Sequence, residues 1–120
     1  MRPYVLLISL LLGCATQRTA APPLDYDSVF PTQAPWDFPP VAQSPELTGL
    51  CERAMQDYHA VDPDRKLSAS GIFQDPHRHL LFLAFELAND SPRLETDFYL
   101  VYIFDQARNR FLGHVHVPMA

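Results

Sequence analysis

Two segments in the second half of the chain restrict the fold most, because both are apolar on both sides when they are read as strands. Residues 80–88 (LLFLAFELA) place leucine or phenylalanine on either face, and residues 96–105 (TDFYLVYIFD) follow the same pattern over most of their length. An antiparallel sheet with one face in water should alternate between apolar and polar residues. Both faces of the predicted sheet therefore need a cover.

Two further runs complete the predicted sheet. Residues 66–73 (KLSASGIF) alternate weakly, and residues 110–117 (RFLGHVHV) form the last run. The connections between the four runs are short and polar. Short connections favour antiparallel neighbours, since a parallel pair needs a crossover of about a dozen residues or more. The pattern predicts a four-stranded antiparallel meander.

One helix is predicted ahead of these strands. Ser44 is a favourable N-cap residue and Pro45 a favourable first helical residue. Apolar residues then recur at helical spacing as far as about His59. We therefore predict an α+β fold, with one N-terminal helix packed on the four-stranded antiparallel meander. The helix covers one sheet face. The other face is left for aromatic residues upstream, a second sheet, a second copy of the chain or a partner protein.

A second sheet corresponds to a different fold. In residues 85–92 an Asn follows a strand, in residues 98–105 a strand ends in an aromatic residue and Asp, and residues 110–113 begin the next strand. This arrangement is similar to small immunoglobulin-like modules of bacterial envelope proteins. The resemblance spans residues 85–113 and implies an all-β immunoglobulin-like sandwich as the alternative.

A proline-rich segment precedes the helix. Residues 15–44 contain six prolines and no glycine, a composition typical of a semi-rigid spacer. A plain spacer has little use for exposed aromatic side chains, yet Tyr26, Phe30, Trp36 and Phe38 lie within it. We expect these aromatic residues either to dock on the protein's own sheet or to contact a partner.

The N-terminus has the features of a secretory signal peptide. Arg2 is followed by nine apolar residues, 4–12, which as a helix would span only about 14 Å of a hydrocarbon core of about 30 Å. A positive start, a short apolar core and a small residue are typical of a cleaved signal.

The end of this run is more specific. Leu11-Leu12-Gly13-Cys14 resembles the lipobox of bacterial lipoproteins. The resemblance implies diacylglycerol on the Cys14 sulfur, cleavage after Gly13 and acylation of the new amino group. Two or more acyl chains anchor a protein stably. The residue after the cysteine is Ala15, which by the same resemblance implies the outer membrane of a Gram-negative envelope, facing the periplasm.

These features divide the chain into a signal peptide (1–13), a lipidated cysteine with a proline-rich tether (14–44) and a globular domain (45–120). Removal of the signal peptide leaves eight Lys and Arg against fourteen Asp and Glu, a net charge of −6. A mildly acidic chain without a cluster of basic residues in its sequence lacks the electrostatic signature of nucleic-acid binding. It also lacks a polybasic run for anionic lipid. We expect membrane attachment through Cys14.

Two histidine pairs are the metal-ligand candidates. His77 and His79, like His114 and His116, are spaced so that each pair would point to one face of a strand. In a meander the second and fourth strands lie about 10 Å apart, so the pairs do not combine. Two imidazoles alone make an incomplete zinc site. We therefore expect no metal and no cofactor.

Catalytic patterns are not found in the sequence. Glu86 interrupts an apolar run, and we expect it to face solvent or to pair with Arg53. No phosphate-binding loop, dinucleotide motif or activated nucleophile is recognisable. Cys51 lies on the apolar side of the predicted helix, which favours a buried inert thiol; an intermolecular disulfide is the alternative. We expect that the protein is not an enzyme.

The combination of anchor, spacer and surplus apolar face predicts a non-catalytic protein-binding or assembly-accessory module. Its partner would be another envelope protein or a second copy of the chain. The candidate binding residues are Tyr99, Val101 and Ile103 on the sheet, and Trp36 and Phe38 in the tether. The alternative is a periplasmic lipoprotein that binds a small ligand or a metal. A third possibility is a structural lipoprotein whose tether docks on its own sheet.

Overall fold

The computed structural model describes residues 20–88 and 98–118. The predicted signal peptide, the lipidation site at Cys14 and the first two residues of the predicted third strand lie outside the described residues. The elements in chain order are helix α1 (Tyr26–Val29), a 3-10 turn (Pro35–Asp37), helix α2 (Pro45–Val61) and strands β1 (Lys66–Asp75), β2 (Leu80–Ala88), β3 (Phe98–Asp105) and β4 (Arg110–Pro118).

The four strands form one antiparallel sheet in the order β1-β2-β3-β4. This meander, with one main helix beside it, confirms the predicted α+β class. The strand limits differ little from the prediction; β1 ends at Asp75, two residues beyond its expected end. Within the described residues all strands belong to this one sheet.

Helix α2 begins as its sequence predicts. The Ser44 hydroxyl accepts a hydrogen bond from the backbone N–H of Leu47 at 3.2 Å, and Pro45 is the first helical residue. The helix ends at Val61, two residues later than expected. The residue before a proline disfavours helical backbone, and that residue is Asp62, so the helix can continue up to Val61.

The face of the sheet that packs on α2 is called here the helix face. Alternate residues of β2 and β3 point to it, as the period of two predicts. Full burial of a Leu or Phe side chain stabilises a fold by about 1.5–3 kcal/mol, so this layer is a major part of the core. Its buried members are Leu50, Cys51, Ala54, Tyr58, Ile72, Leu81, Leu83, Phe85, Leu100, Tyr102 and Phe104.

The opposite face is covered by the protein's own N-terminal segment, residues 20–44, which we call the strap. Phe30 of the strap is only 4% exposed and packs edge-on against Phe82 with ring centroids 4.8 Å apart. Phe38 contacts the same ring at 5.1 Å. The sequence left four possible covers for this face, and in the structure the aromatic residues of the tether cover it. The covered residues of this strap face are Leu80, Phe82, Ala84, Val101, Ile103, Val115 and Val117.

The strap also pairs with both edges of the sheet. At the β4 edge the N–H of His114 donates to the Pro22 carbonyl at 2.9 Å, and the N–H of Leu24 donates to the His114 carbonyl at 2.7 Å. At the β1 edge the N–H of Val41 donates to the Ile72 carbonyl at 2.8 Å. Unpaired strand edges invite association with other chains, and a proline there limits pairing. The strap therefore occupies part of each edge.

The two hairpins, β1–β2 and β3–β4, turn in the same way. In the first, the Asp75 carboxylate accepts from the backbone N–H of His77 at 3.0 Å, and in the second Asp105 accepts from Ala107 at 3.0 Å. Each turn ends in a residue of positive φ, His79 at 57° and Asn109 at 56°. Asn and His tolerate this region better than most residues. Both turns lie at one end of the sheet, which we call the hairpin end.

Candidate functional site

An aromatic pair, of which Trp36 is exposed and Tyr99 half-buried, lies at the end of the sheet opposite the hairpin end. The Trp36 ring, carried by the 3-10 turn, packs on Tyr99 with centroids 5.4 Å apart. Trp36 keeps 44% of its surface exposed, although other strap aromatic residues are buried or half-buried. The Asp37 carboxylate accepts from the N–H of Ala34 at 3.0 Å and holds the turn. Two of the five predicted binding residues therefore form one accessible surface.

The other three predicted binding residues are positioned differently. Val101 and Ile103 are 0% and 1% exposed, and Phe38 is half-buried on the strap face. The reason is that the strap covers the face on which they lie. In this structure they belong to the core and not to an accessible binding surface.

A group of polar side chains lies where the strap enters the fold. We call Asp57, Tyr58, Tyr102, His114 and His116 the polar cluster. The Tyr102 hydroxyl donates to Asp57 Oδ2 at 2.6 Å. The same carboxylate accepts from the backbone N–H of Ala21 at 3.0 and 3.2 Å. Burial, and secondarily the adjacent Asp57 carboxylate, raise the pKa of Tyr102 far above its usual value, so this hydroxyl stays protonated.

His114 holds the strap on its other side. Its side chain is bonded to the Ala21 carbonyl at 3.1 Å through Nδ1. A carbonyl oxygen only accepts, so Nδ1 carries the proton. The residue is 2% exposed and stacks on Tyr102 with centroids 5.4 Å apart. Burial and the neighbouring His116 lower the pKa of His114, although the Ala21 contact and Asp57 oppose that shift.

Tyr58 and His116 complete the polar cluster. The Tyr58 hydroxyl and His116 Nε2 are hydrogen-bonded at 3.1 Å. Desolvation, and secondarily the positive charge of Arg65, lower the pKa of His116. Burial and the negative charge of Asp62 raise the pKa of Tyr58. Tyr58 is buried whereas His116 is exposed, and both shifts favour the neutral side chains.

Local sequence patterns do not predict this cluster. Tyr102 lies within the apolar run 96–105, which by itself indicates only a buried strand. The available signal was that Tyr102 and His114 share one sheet face, because they are register partners in adjacent strands. The contribution of Ala21 has no local signal at all, since it lies 36 residues from Asp57 in the chain.

The two histidine pairs lie in different environments. His77 and His79 are exposed in the first hairpin turn, whereas His114 and His116 lie on the helix face within the polar cluster. Within residues 20–88 and 98–118, no three His, Cys, Asp or Glu side chains converge in a way that could hold a metal ion.

Two further residues were singled out from the sequence. Glu86 is exposed at the end of β2, in agreement with the expectation that it faces solvent. Cys51 is buried under α2 as a free thiol, and burial raises its pKa. A buried thiol with a raised pKa is a poor nucleophile.

A half-open groove of about 520 Å³ lies between the first half of α2 and the hairpin end. Its floor is apolar, with Leu47, Leu50 and Phe104 among the lining residues. Glu46 and Arg53 are the charged residues of its lining. An apolar floor with a few polar groups is typical of small-ligand sites, which usually enclose about 300–1,000 Å³.

Comparisons with protein families, with curated proteins and with solved structures give no match for this chain. Among the helices in the described part of the chain, none is long and apolar enough to cross a membrane.

Proposed function

We propose that this protein is an envelope lipoprotein, acylated on Cys14 and held at the outer membrane on the periplasmic side. Its domain binds another protein and catalyses no reaction. The observation that carries the binding role is the exposed Trp36 ring, which packs on half-buried Tyr99, because tryptophan and tyrosine are enriched among the residues that dominate protein interfaces.

The buried polar groups support a structural use of the polar cluster. Asp57 and His114 both bind the backbone of Ala21, and the hydroxyl of Tyr102 is taken up by Asp57. These groups stabilise the docking of the strap. They are therefore committed to the fold, which favours a binding module over an enzyme.

The strap supports a short connection to the anchor. Ala21, which Asp57 and His114 hold in the fold, lies only seven residues after Cys14. Seven residues span at most about 25 Å. The domain of an acylated protein would therefore remain close to the bilayer, with its exposed aromatic pair available to a membrane-bound or periplasmic partner.

Lipidation is tested by labelling cells that express the full chain with an alkyne analogue of palmitate. We expect label on the wild type and on a Cys51→Ser control, and none on Cys14→Ser. Because the chain has two cysteines, this pair of variants separates the anchor from the buried thiol. Equal label on all three, or on none, would contradict the proposal.

The binding surface is tested by placing a photo-crosslinking amino acid at position 36 in cells. The matched control carries the same amino acid at Thr48, an exposed position on α2. We expect a discrete adduct with one envelope protein from position 36 only, reduced by Tyr99→Ala. Adducts of equal yield from both positions, or from neither, would count against this surface.

The groove beside α2 supports a second candidate function, the binding of a small ligand. The side chain of a Gly49→Phe variant would enter open space, since nothing lies within 4 Å of a Cβ at this position. A compound that raises the melting temperature of the wild type but not of Gly49→Phe would favour this second function.

A further inference from the structure

The hairpin end gathers positively charged side chains from separate parts of the chain. Arg108 in the second turn and Arg110 at the start of β4 are exposed, and the Arg108 side chain keeps 69% of its surface in solvent. Arg53 of α2 reaches the same end, because its guanidinium lies 5.5 Å from the ring of Phe111.

The negative charges at this end are mostly buried. Asp75 and Asp105 are 5% and 8% exposed and accept hydrogen bonds from their own turns. Asp105 Oδ2 also lies 3.8 Å from Nη1 of Arg108, a long ion pair that leaves most of the arginine side chain in solvent. Burial alone would raise the pKa of Asp75, but hydrogen bonds from Arg78 and His77 bring it below its usual value, so the group is ionised and paired. Glu46, which lines the groove at this end, is an exposed carboxylate here.

The opposite end is acidic. Asp62 and Asp64 follow the end of α2, and Glu86 lies near the end of β2. Asp37 lies in the 3-10 turn that carries Trp36. Arg65 and Lys66 lie near this end as well, and Arg65 is paired with Asp62 at 3.5 Å, so acidic side chains outnumber basic ones here. The exposed arginines Arg53, Arg108 and Arg110 lie at the hairpin end instead.

The direction of the strap relates this polarity to the N-terminus. Pro23 forms a parallel bridge with His114, so the strap runs in the same direction as β4. Strand β4 starts at Arg110, at the hairpin end. Pro22 therefore lies nearer to the hairpin end than Leu24 does. The lipid on Cys14 can be at most about 25 Å from Ala21, which is seven residues further along the chain.

We propose that the hairpin end is a membrane-docking surface, in which Arg53, Arg108 and Arg110 bind the headgroups of anionic phospholipids in the leaflet that holds the anchor. This inference rests on the proposed lipidation of Cys14. Arginine pairs well with phosphate oxygens, and a basic surface is attracted to anionic lipid within about one Debye length. Docking would point Trp36 and Tyr99 away from the bilayer, towards a partner.

The single tryptophan makes the orientation measurable. Trp36 reports on the acidic end, and a Trp36→Phe, Ala107→Trp variant moves the reporter to the second hairpin turn. Both acylated proteins are reconstituted into vesicles of phosphatidylcholine and phosphatidylglycerol that carry brominated acyl chains. We expect strong quenching of the tryptophan at position 107 and little quenching of Trp36. Quenching of Trp36 alone, of both equally or of neither would overturn the docking surface.

The charge requirement is tested in the position-107 reporter. Arg108→Gln with Arg110→Gln should weaken docking by about 30-fold, because each arginine near an anionic surface contributes about 1 kcal/mol. Arg65→Gln with Lys66→Gln removes the same charge near the opposite end and should leave quenching unchanged. Vesicles of phosphatidylcholine alone, or high salt, should also abolish quenching. An equal effect of the two double variants would contradict the proposal.

Flotation distinguishes a failure of the proposed lipidation from a failure of the docking surface. Protein that does not float with the vesicles and carries no acyl mass would refute the proposed lipidation, and with it this docking surface. Protein that floats but shows the wrong quenching pattern would refute only the orientation.

Discussion

Removal of the Phe30 side chain is the sharpest test of the strap. This ring is 4% exposed and contacts Phe82 at 4.8 Å, while Tyr26 lies 5.3 Å and Phe38 6.3 Å from it. Truncation of a buried phenylalanine to alanine costs about 3–5 kcal/mol, as lost transfer free energy plus a cavity term. A domain of this size has a total stability of about 5–15 kcal/mol. Phe30→Ala should therefore remove a large share of it.

The matched control is Trp36→Ala, in the same strap. Trp36 is larger, but it is 44% exposed and lies on Tyr99 at the surface. We expect it to reduce the free energy of unfolding by less than Phe30→Ala does, because nearly half of this side chain is already in solvent and its removal encloses no cavity. The aromatic contact itself contributes about 0.5–1.5 kcal/mol beyond the buried area. Urea unfolding followed by far-ultraviolet circular dichroism gives both numbers. Light scattering then tests whether Phe30→Ala, with its strap face uncovered, associates.

The comparison of Phe30→Ala with Trp36→Ala tests whether the strap covers the sheet in solution. If Phe30→Ala is no more destabilising than Trp36→Ala, the strap does not cover the sheet in solution. The apolar strap face would then be open, as the sequence analysis first considered, and a second copy or a partner would have to cover it.

Three further results are expected. Gly113→Ala should destabilise the fold by about 1–3 kcal/mol, because its Cβ would lie 2.5 Å from a strap carbonyl oxygen. Gly49→Ala, in open space on α2, should instead stabilise the fold by about 1 kcal/mol. Melting curves of the two variants test this difference. Asp57→Ala should lower the free energy of unfolding by about 1–3 kcal/mol, since a strap N–H and a buried tyrosine hydroxyl lose their acceptor. A similar loss in a chain truncated before residue 25 would show that the effect does not pass through the strap. The pKa of His114 is lowered in the folded state, so the unfolded chain takes up a proton first as pH falls. The free energy of unfolding should therefore decline below about pH 6.5 by up to about 1.4 kcal/mol per pH unit. Urea midpoints that coincide at pH 7.5 and 5.5, or a decline unchanged in His114→Gln, would contradict this assignment.

Local signals account for the elements that the sequence predicted well. The limits of α2 follow from Ser44 and from the proline after Asp62, both of which act within a few residues. The two faces of β2 and β3 follow from the alternation of side chains along a strand. The turns at Asp75 and Asp105 are likewise closed by their own residues. These features need no knowledge of distant contacts.

The binding candidates show what local sequence patterns cannot predict. The pattern identified Val101 and Ile103 as members of a surplus apolar face, and that assignment to a face is confirmed. It left open what lies on the face, because a proline-rich segment with aromatic residues is compatible with both an extended spacer and a docked strap. The contact between Phe30 and Phe82 spans more than fifty residues of chain, and no local period encodes it.

The sequence by itself determined the elements, the two apolar faces and the N-terminal lipobox pattern, because each depends on neighbours within a few positions. Only the tertiary structure decided which segment covers the second face, which polar groups hold Ala21, and which charges share an end. Arg53, Arg108 and Arg110 do not form a basic run in the sequence, and they come together only because α2 packs beside the second hairpin. Long-range packing brings such residues together, and that is decided by the whole chain.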